Sequence, residues 1–187
     1  MKIFNKFLLL IVLLLSNNIL FSATIESSIG FQSDFEDSSE REKWHLNTGP
    51  FGNECANQWY WGKVGANGGE YGLYISGDGG TSNYYMPTGT TVLAYREYTF
   101  DKGNYELSFD WQAGGLQTDG LYVCWIPVRD SIKLNSVSMS SLLPEWVERY
   151  AIDFDRATPY LSQTTWNSVL DTVYTNGEAY NLVFVWN

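Results

Sequence analysis

The run Tyr105–Trp111 constrains the fold of this chain more tightly than any other stretch. Tyr105, Leu107, Phe109 and Trp111 take alternate positions, and Glu106, Ser108 and Asp110 take the positions between. A helix would scatter those four large apolar side chains around its axis. A strand with one buried face collects them on one side by its period of two. The neighbouring sequence repeats the theme. Leu73–Ser76, Thr91–Phe100 and Leu121–Ile126 are further strand-like runs, separated by turns rich in Gly, Asp and Asn. Leu121–Ile126 is apolar on both faces, which predicts a central strand covered on both sides.

The rest of the chain reads as outer strands and loops around that block. Gly30–Asp37 alternates Phe31, Ser33 and Phe35 with Gln32, Asp34 and Glu36, and is expected to be the first strand, with carboxylates on its polar face. Ser38–Lys43 is expected to be a charged turn or one helical turn. Gln58–Gly62 is a dense aromatic strand. After a Ser-rich excursion, Leu142–Tyr150 forms either a short helix behind Pro144 or an irregular loop, and Ala151–Asp155 a short strand. Thr164–Val173 and Tyr180–Trp186 are the last two strands, the second apolar on both faces. Many short strands at turn spacing, with no long helical period, predict an all-β sandwich or jelly roll.

Composition narrows the function classes. The chain has 187 residues and a net charge of −10, with 17% aromatic residues. Such acidity disfavours nucleic-acid backbones and anionic lipid surfaces, both of which call for clustered Lys and Arg. Residues 1–23 carry Lys2 and Lys6, then the apolar run Phe7–Leu15, then small Ser22 and Ala23. This is the pattern of a secretory signal peptide, so residues 24–187 are expected to be one exported domain, in the periplasm, on the cell surface or in the medium. Export allows a bridge between Cys55 and Cys124, and core packing of Cys124 in its doubly apolar strand is the other reading. The lone His45 beside Trp44 offers packing or surface, not a metal pattern.

Several of these segments, taken in order, resemble a known family. They are Phe35-Glu36, Trp44, Trp61-Gly62, Gly72–Gly80, Ala94-Tyr95, Tyr105–Trp111, Asp119–Val123, Trp166 and Leu182–Trp186. The set is similar to the MAM-like jelly-roll domains of secreted bacterial surface proteins, of the choice-of-anchor J and cleaved-adhesin type. The resemblance spans about residues 31–187. It implies a concanavalin-like jelly-roll β-sandwich of two antiparallel sheets, a non-enzymatic role in adhesion or carbohydrate binding, and a structural calcium. The family continues past its last strand with a further Asp-bearing strand, and nothing follows Asn187. A truncated domain is therefore expected, and its calcium site is in question.

Three kinds of chemistry follow. Calcium wants several carboxylate and carbonyl oxygens. Asp34 and Glu36 share one face of the expected first strand, and Asp78 sits in a Gly-rich loop; the resemblance makes Glu36 the first choice. Asp110 and the pair Asp153 and Asp155 are further carboxylates, and ordinary solvated acids are the plain alternative. A glycan or cell-surface protein partner would be met by exposed aromatics, for which the loop positions Tyr84, Tyr85 and Trp146 are expected, ahead of Trp59, Tyr60, Trp61 and Tyr160. Catalysis is not expected. The Glu-x-Asp-x-x-Glu run of sandwich glucanases is missing, with Asp153-Phe-Asp155 and Glu145…Glu148 the nearest approaches, and there is no Gly-x-Ser-x-Gly elbow. A glycoside hydrolase on a similar sandwich is the alternative, supported by fold analogy alone.

Overall fold

A computed structural model describes residues 33–47, 55–83, 86, 91–114, 120–130, 143–152, 160 and 163–187. The expected signal peptide, Gly30–Gln32, Tyr84, Tyr85 and Asp153–Asp155 lie outside the described residues. Among the described residues there are eight strands: β1 (His45–Leu46), β2 (Gln58–Gly62), β3 (Gly72–Ser76), β4 (Val92–Thr99), β5 (Gly103–Ala113), β6 (Leu121–Pro127), β7 (Gln163–Thr175) and β8 (Ala179–Trp186). Two short helices, α1 (Ser38–Arg41) and α2 (Glu145–Tyr150), and 3-10 turns at Lys63–Gly65 and at residues 128–130 complete the regular structure of the described residues. The fold is all-β and sandwich-like in character, with every strand pair antiparallel.

The strands pair as a four-stranded sheet in the order β1-β4-β8-β6, and as the two ribbons β2-β3 and β5-β7. The centre of the large sheet is β8, with seven of its eight residues buried. Its even positions Leu182, Phe184 and Trp186 join one core, with Val92, Ala94 and Val123. Its odd positions Val183 and Val185 join another, with Leu93, Tyr122, Cys124 and Ile126. Each fully buried Val or Leu here stabilises the fold by about 1.5–3 kcal/mol.

The expectation that Leu121–Ile126 is the central strand is corrected. β6 lies at an edge of the named sheet, and its outer side is met by single bridges from Ala151 to Cys124 and from Tyr160 to Leu121. Two apolar faces report cover above and below a strand; they carry no information about its place in the order.

Ring contacts tie the β5-β7 ribbon to the large sheet. Phe109 meets Phe184 edge-on at 6.2 Å, and Trp44 stacks on Phe184 at 5.4 Å. The opposite face of the sheet is covered by α2, whose Trp146 and Val147 enter the second core. Two asparagines act as surrogate ladder partners. Asn47 donates to the Trp59 carbonyl and accepts from the Trp59 amide, joining β2 to the chain after β1. Asn57, fully buried, does the same with Met86.

Gly30–Asp37 is not the first strand over its described part, residues 33–37. The Asp34 side chain accepts the Glu36 amide, and Phe35 turns to φ +64°. A short carboxylate that captures a nearby N–H offers the backbone a turn in place of a ladder. Residues 38–41 then form the expected single helical turn, capped by Asp37.

Candidate functional site

The expected calcium ligands do not converge. Glu36 lies against the loop before β3, where its Oε1 accepts the amides of Glu70 at 2.7 Å and Tyr71 at 2.9 Å. This contact requires glycine at position 69, because a Cβ there would stand 2.2 Å from the same oxygen. Asp34 is two residues away in the same turn. Asp78 lies beyond the far end of β3, so roughly 16 Å of strand separates it from Glu36. Its own loop engages it. Oδ1 accepts from Ser76 Oγ at 2.6 Å and from the Ser82 amide at 3.0 Å, and Oδ2 from Ser82 Oγ at 2.6 Å. The hydrogen bonds from Ser76, then Ser82, hold the Asp78 carboxyl down at about 2. Among the described residues no three His, Cys, Asp or Glu side chains gather as a metal cluster. Asp34, Glu36 and Asp78 therefore do not fit one calcium site. Each carboxylate of the set makes loop contacts that a turn requires.

The expected aromatic contacts fare differently from one another. Trp146 is buried, 6% exposed, and packs beneath the large sheet. The expectation of an exposed loop position is corrected: behind Pro144 the chain takes a helical turn that drives Trp146 and Val147 inward, as an amphipathic segment does. Trp59 is core as well, its Nε1 donating to the Val92 carbonyl at 3.1 Å. Trp61 is half-buried against Phe35 with the Arg41 guanidinium 5.5 Å above its ring. Tyr160 packs on Phe109 and Trp111.

A different set of aromatics reaches solvent. Along β5 the alternation seen in the sequence holds, with Tyr105, Leu107, Phe109 and Trp111 turned to the core and Asn104, Glu106, Ser108, Asp110 and Gln112 exposed. Its partner β7 turns Val169, Asp171 and Val173 the same inward way. That leaves Trp166, Leu170 and Tyr174 on the outer face, at 39%, 67% and 50% exposure. Of the four large hydrophobic residues that are exposed among those described, three form this row.

The register interleaves apolar and polar groups. Across the ladder Tyr174 faces Asn104, Thr172 faces Glu106, Leu170 faces Ser108 and Ser168 faces Asp110. Directly opposite residues stand about 4.5–5.5 Å apart at Cβ. Asp110 anchors the polar side, accepting from Ser168 Oγ at 2.5 Å and from Asn67 Nδ2 at 2.9 Å. Gln112 donates to the Thr164 carbonyl, which fixes the end of the ribbon beside the bulge at Trp111–Ala113. The outer face carries no Lys or Arg among its described positions on β5 and β7.

Sequence reasoning passed over this row. Thr164–Val173 is strand-like with apolar residues on both faces, so its own pattern cannot say which face is wet. The answer lies in β5, whose outward positions are all polar. Once the two strands are paired, Trp166, Leu170 and Tyr174 must share that polar face.

Glu106 and Asp110 are the outward carboxylates of β5, four residues and about 14 Å apart along the strand. Paired glycosidase carboxylates stand roughly 5–9.5 Å apart. The two cysteines are buried, Cys55 in one core and Cys124 in the other, so the large sheet lies between them and no bridge joins one to the other. His45 stacks on Tyr95 at 4.8 Å. Comparison with known proteins gives no match: no family model, no curated protein and no solved structure is similar to the chain.

Proposed function

We propose that this chain is a non-catalytic recognition module that binds carbohydrate on the outer face of the β5-β7 ribbon. One observation carries the reading: Trp166, Leu170 and Tyr174 stand exposed at every fourth residue of β7 in a ladder whose other outward groups are hydroxyls, amides and carboxylates. Apolar side chains grouped on a solvated surface mark an interaction site. Trp and Tyr present a flat apolar body with a polar tip. A sugar ring has the matching form, with an apolar C–H face and a rim of hydroxyls that amides and carboxylates can pair.

The resemblance to MAM-like domains points the same way, toward adhesion through a glycan or a cell-surface protein. It also supplies the finer fold proposal, a concanavalin-like jelly roll. Export through residues 1–23 belongs to the same proposal, since such a module works outside the cell. A structural calcium would rest on Glu36 with Asp34, and Asp78 would take no part.

The test is binding of the purified protein to immobilised neutral polysaccharides (β-glucan, xylan, mannan, galactan and starch), beside Trp166→Ala and Tyr174→Ala. Retention of the parent on at least one polysaccharide, and its loss in both variants at unchanged melting temperature, is the expected result. Retention that survives both substitutions would place binding elsewhere and sink the reading.

A further inference from the structure

Resting on that reading, we infer that the ligand is a neutral, linear polysaccharide laid along β7 over at least the distance from Trp166 to Tyr174, rather than a single terminal sugar. The three apolar platforms are spaced evenly at four-residue intervals on one strand face. At 3.4 Å per residue, successive platforms are about 14 Å apart and the row is about 27 Å long. One pyranose ring cannot touch two of them. A terminal-sugar site would gather its aromatic and polar groups around one point, with a wall to stop the chain. Here they lie in a line, with Ser168 and Thr172 between them along β7, and with Asn104 and Ser108 across the ladder from Tyr174 and Leu170.

Charge chooses among polymers. Glu106 and Asp110 lie on the track, and the described outward positions of both strands include no cation to offset them. The protein as a whole is at −10. A uronic-acid or sulfated chain would meet like charge along its whole length, while a neutral chain would find acceptors for its hydroxyl protons. A basic peptide would also meet favourable charge. It lacks the repeating flat face that platforms at a constant interval select, and it is kept as an outcome of the test.

The experiment is isothermal titration of the purified protein with a neutral oligosaccharide series from one to eight units, drawn from whichever polysaccharide retains it. Wild type, Trp166→Ala and Tyr174→Ala are compared, each first shown to melt with wild type. Affinity is expected to climb with length, by about five- to tenfold for each added platform, and to level off once the chain covers the row. Either substitution should flatten the climb and leave the shortest binders almost unchanged. A monosaccharide that binds as well as the octamer would overturn the linear track while sparing the carbohydrate reading. Tighter binding of a uronic-acid polymer would overturn neutrality. Binding of an oligolysine peptide by the folded protein, with no retention on any glycan, would overturn both.

Discussion

Arg96 sits on the core-facing side of β4 with its side chain 5% exposed, and Glu40 of α1 reaches it from above at 15% exposure. The same carboxylate takes Lys43 Nζ at 2.6 Å, and the Arg96 guanidinium lies 4.9 Å over the Tyr98 ring. Glu40→Gln keeps the shape and removes the charge. Removing one partner of a fully buried pair costs about 3–5 kcal/mol. The retained amide oxygen and the partial exposure of Glu40 reduce this, so about 2–3 kcal/mol is expected at pH 7. For a domain of this size, that is a fall in melting temperature of about 4–12 °C. Lys43→Ala removes only an exposed contact and should cost under about 1 kcal/mol.

The pH dependence has a fixed sign. Hydrogen bonds from Lys43, then Arg96, lower the Glu40 carboxyl in the folded state. Stability from a depressed carboxyl is fully present above its unfolded value and is lost as pH falls through the folded value. The gap between wild type and Glu40→Gln should therefore be complete at neutral pH, begin to close near pH 4, and vanish further down. Near-UV circular dichroism melts across that range read it directly. A Glu40→Gln protein that melts with wild type at pH 7, or a gap that stays constant into strong acid, would refute the argument.

Trp146→Ala should lower stability by about 3–5 kcal/mol, as a buried aromatic deletion does, and leave the polysaccharide affinity of the remaining folded protein unchanged; melts and titrations separate the two. Gly72→Ala places a Cβ 1.9 Å from the Gly65 carbonyl oxygen, and the backbone must move, so a loss of about 3 kcal/mol is expected by denaturant unfolding. Neither cysteine should react with a thiol reagent in the native state. Both are buried, and burial pushes the Cys124 thiol well above its usual range, so labelling should appear only with the unfolding transition.

Strands were legible in the sequence whether or not they have a wet face, since Leu73–Ser76, Leu121–Ile126 and Tyr180–Trp186 all fall within strands buried on both faces. Gln58–Gly62 matches its strand end to end, and the alternation of Tyr105–Trp111 places every side chain of that run on its observed side. Where both faces are apolar, pattern ceases to discriminate, so Leu121–Ile126 read as central although β8 holds the centre. Local polar chemistry misled at residues 33–37, where the right alternation sits in a turn closed by Asp34. Six residues of α2 give too little periodicity to show that Trp146 faces inward. The candidate binding row needed information from two distant segments, because only the pairing of β7 with β5 shows that Trp166, Leu170 and Tyr174 share a face with Glu106 and Asp110.

The most direct test of the binding face is a two-dimensional amide NMR titration of the protein with a neutral hexasaccharide from the polysaccharide that retains it. The account predicts that the shifted signals are the Trp166 indole N–H and the amides of residues 104–112 and 164–174, with the α2 amides and the loop at Asp78 unmoved. Shifts centred on the β2-β3 ribbon, on α2 or around Asp78, with the β5-β7 ribbon silent, would contradict it.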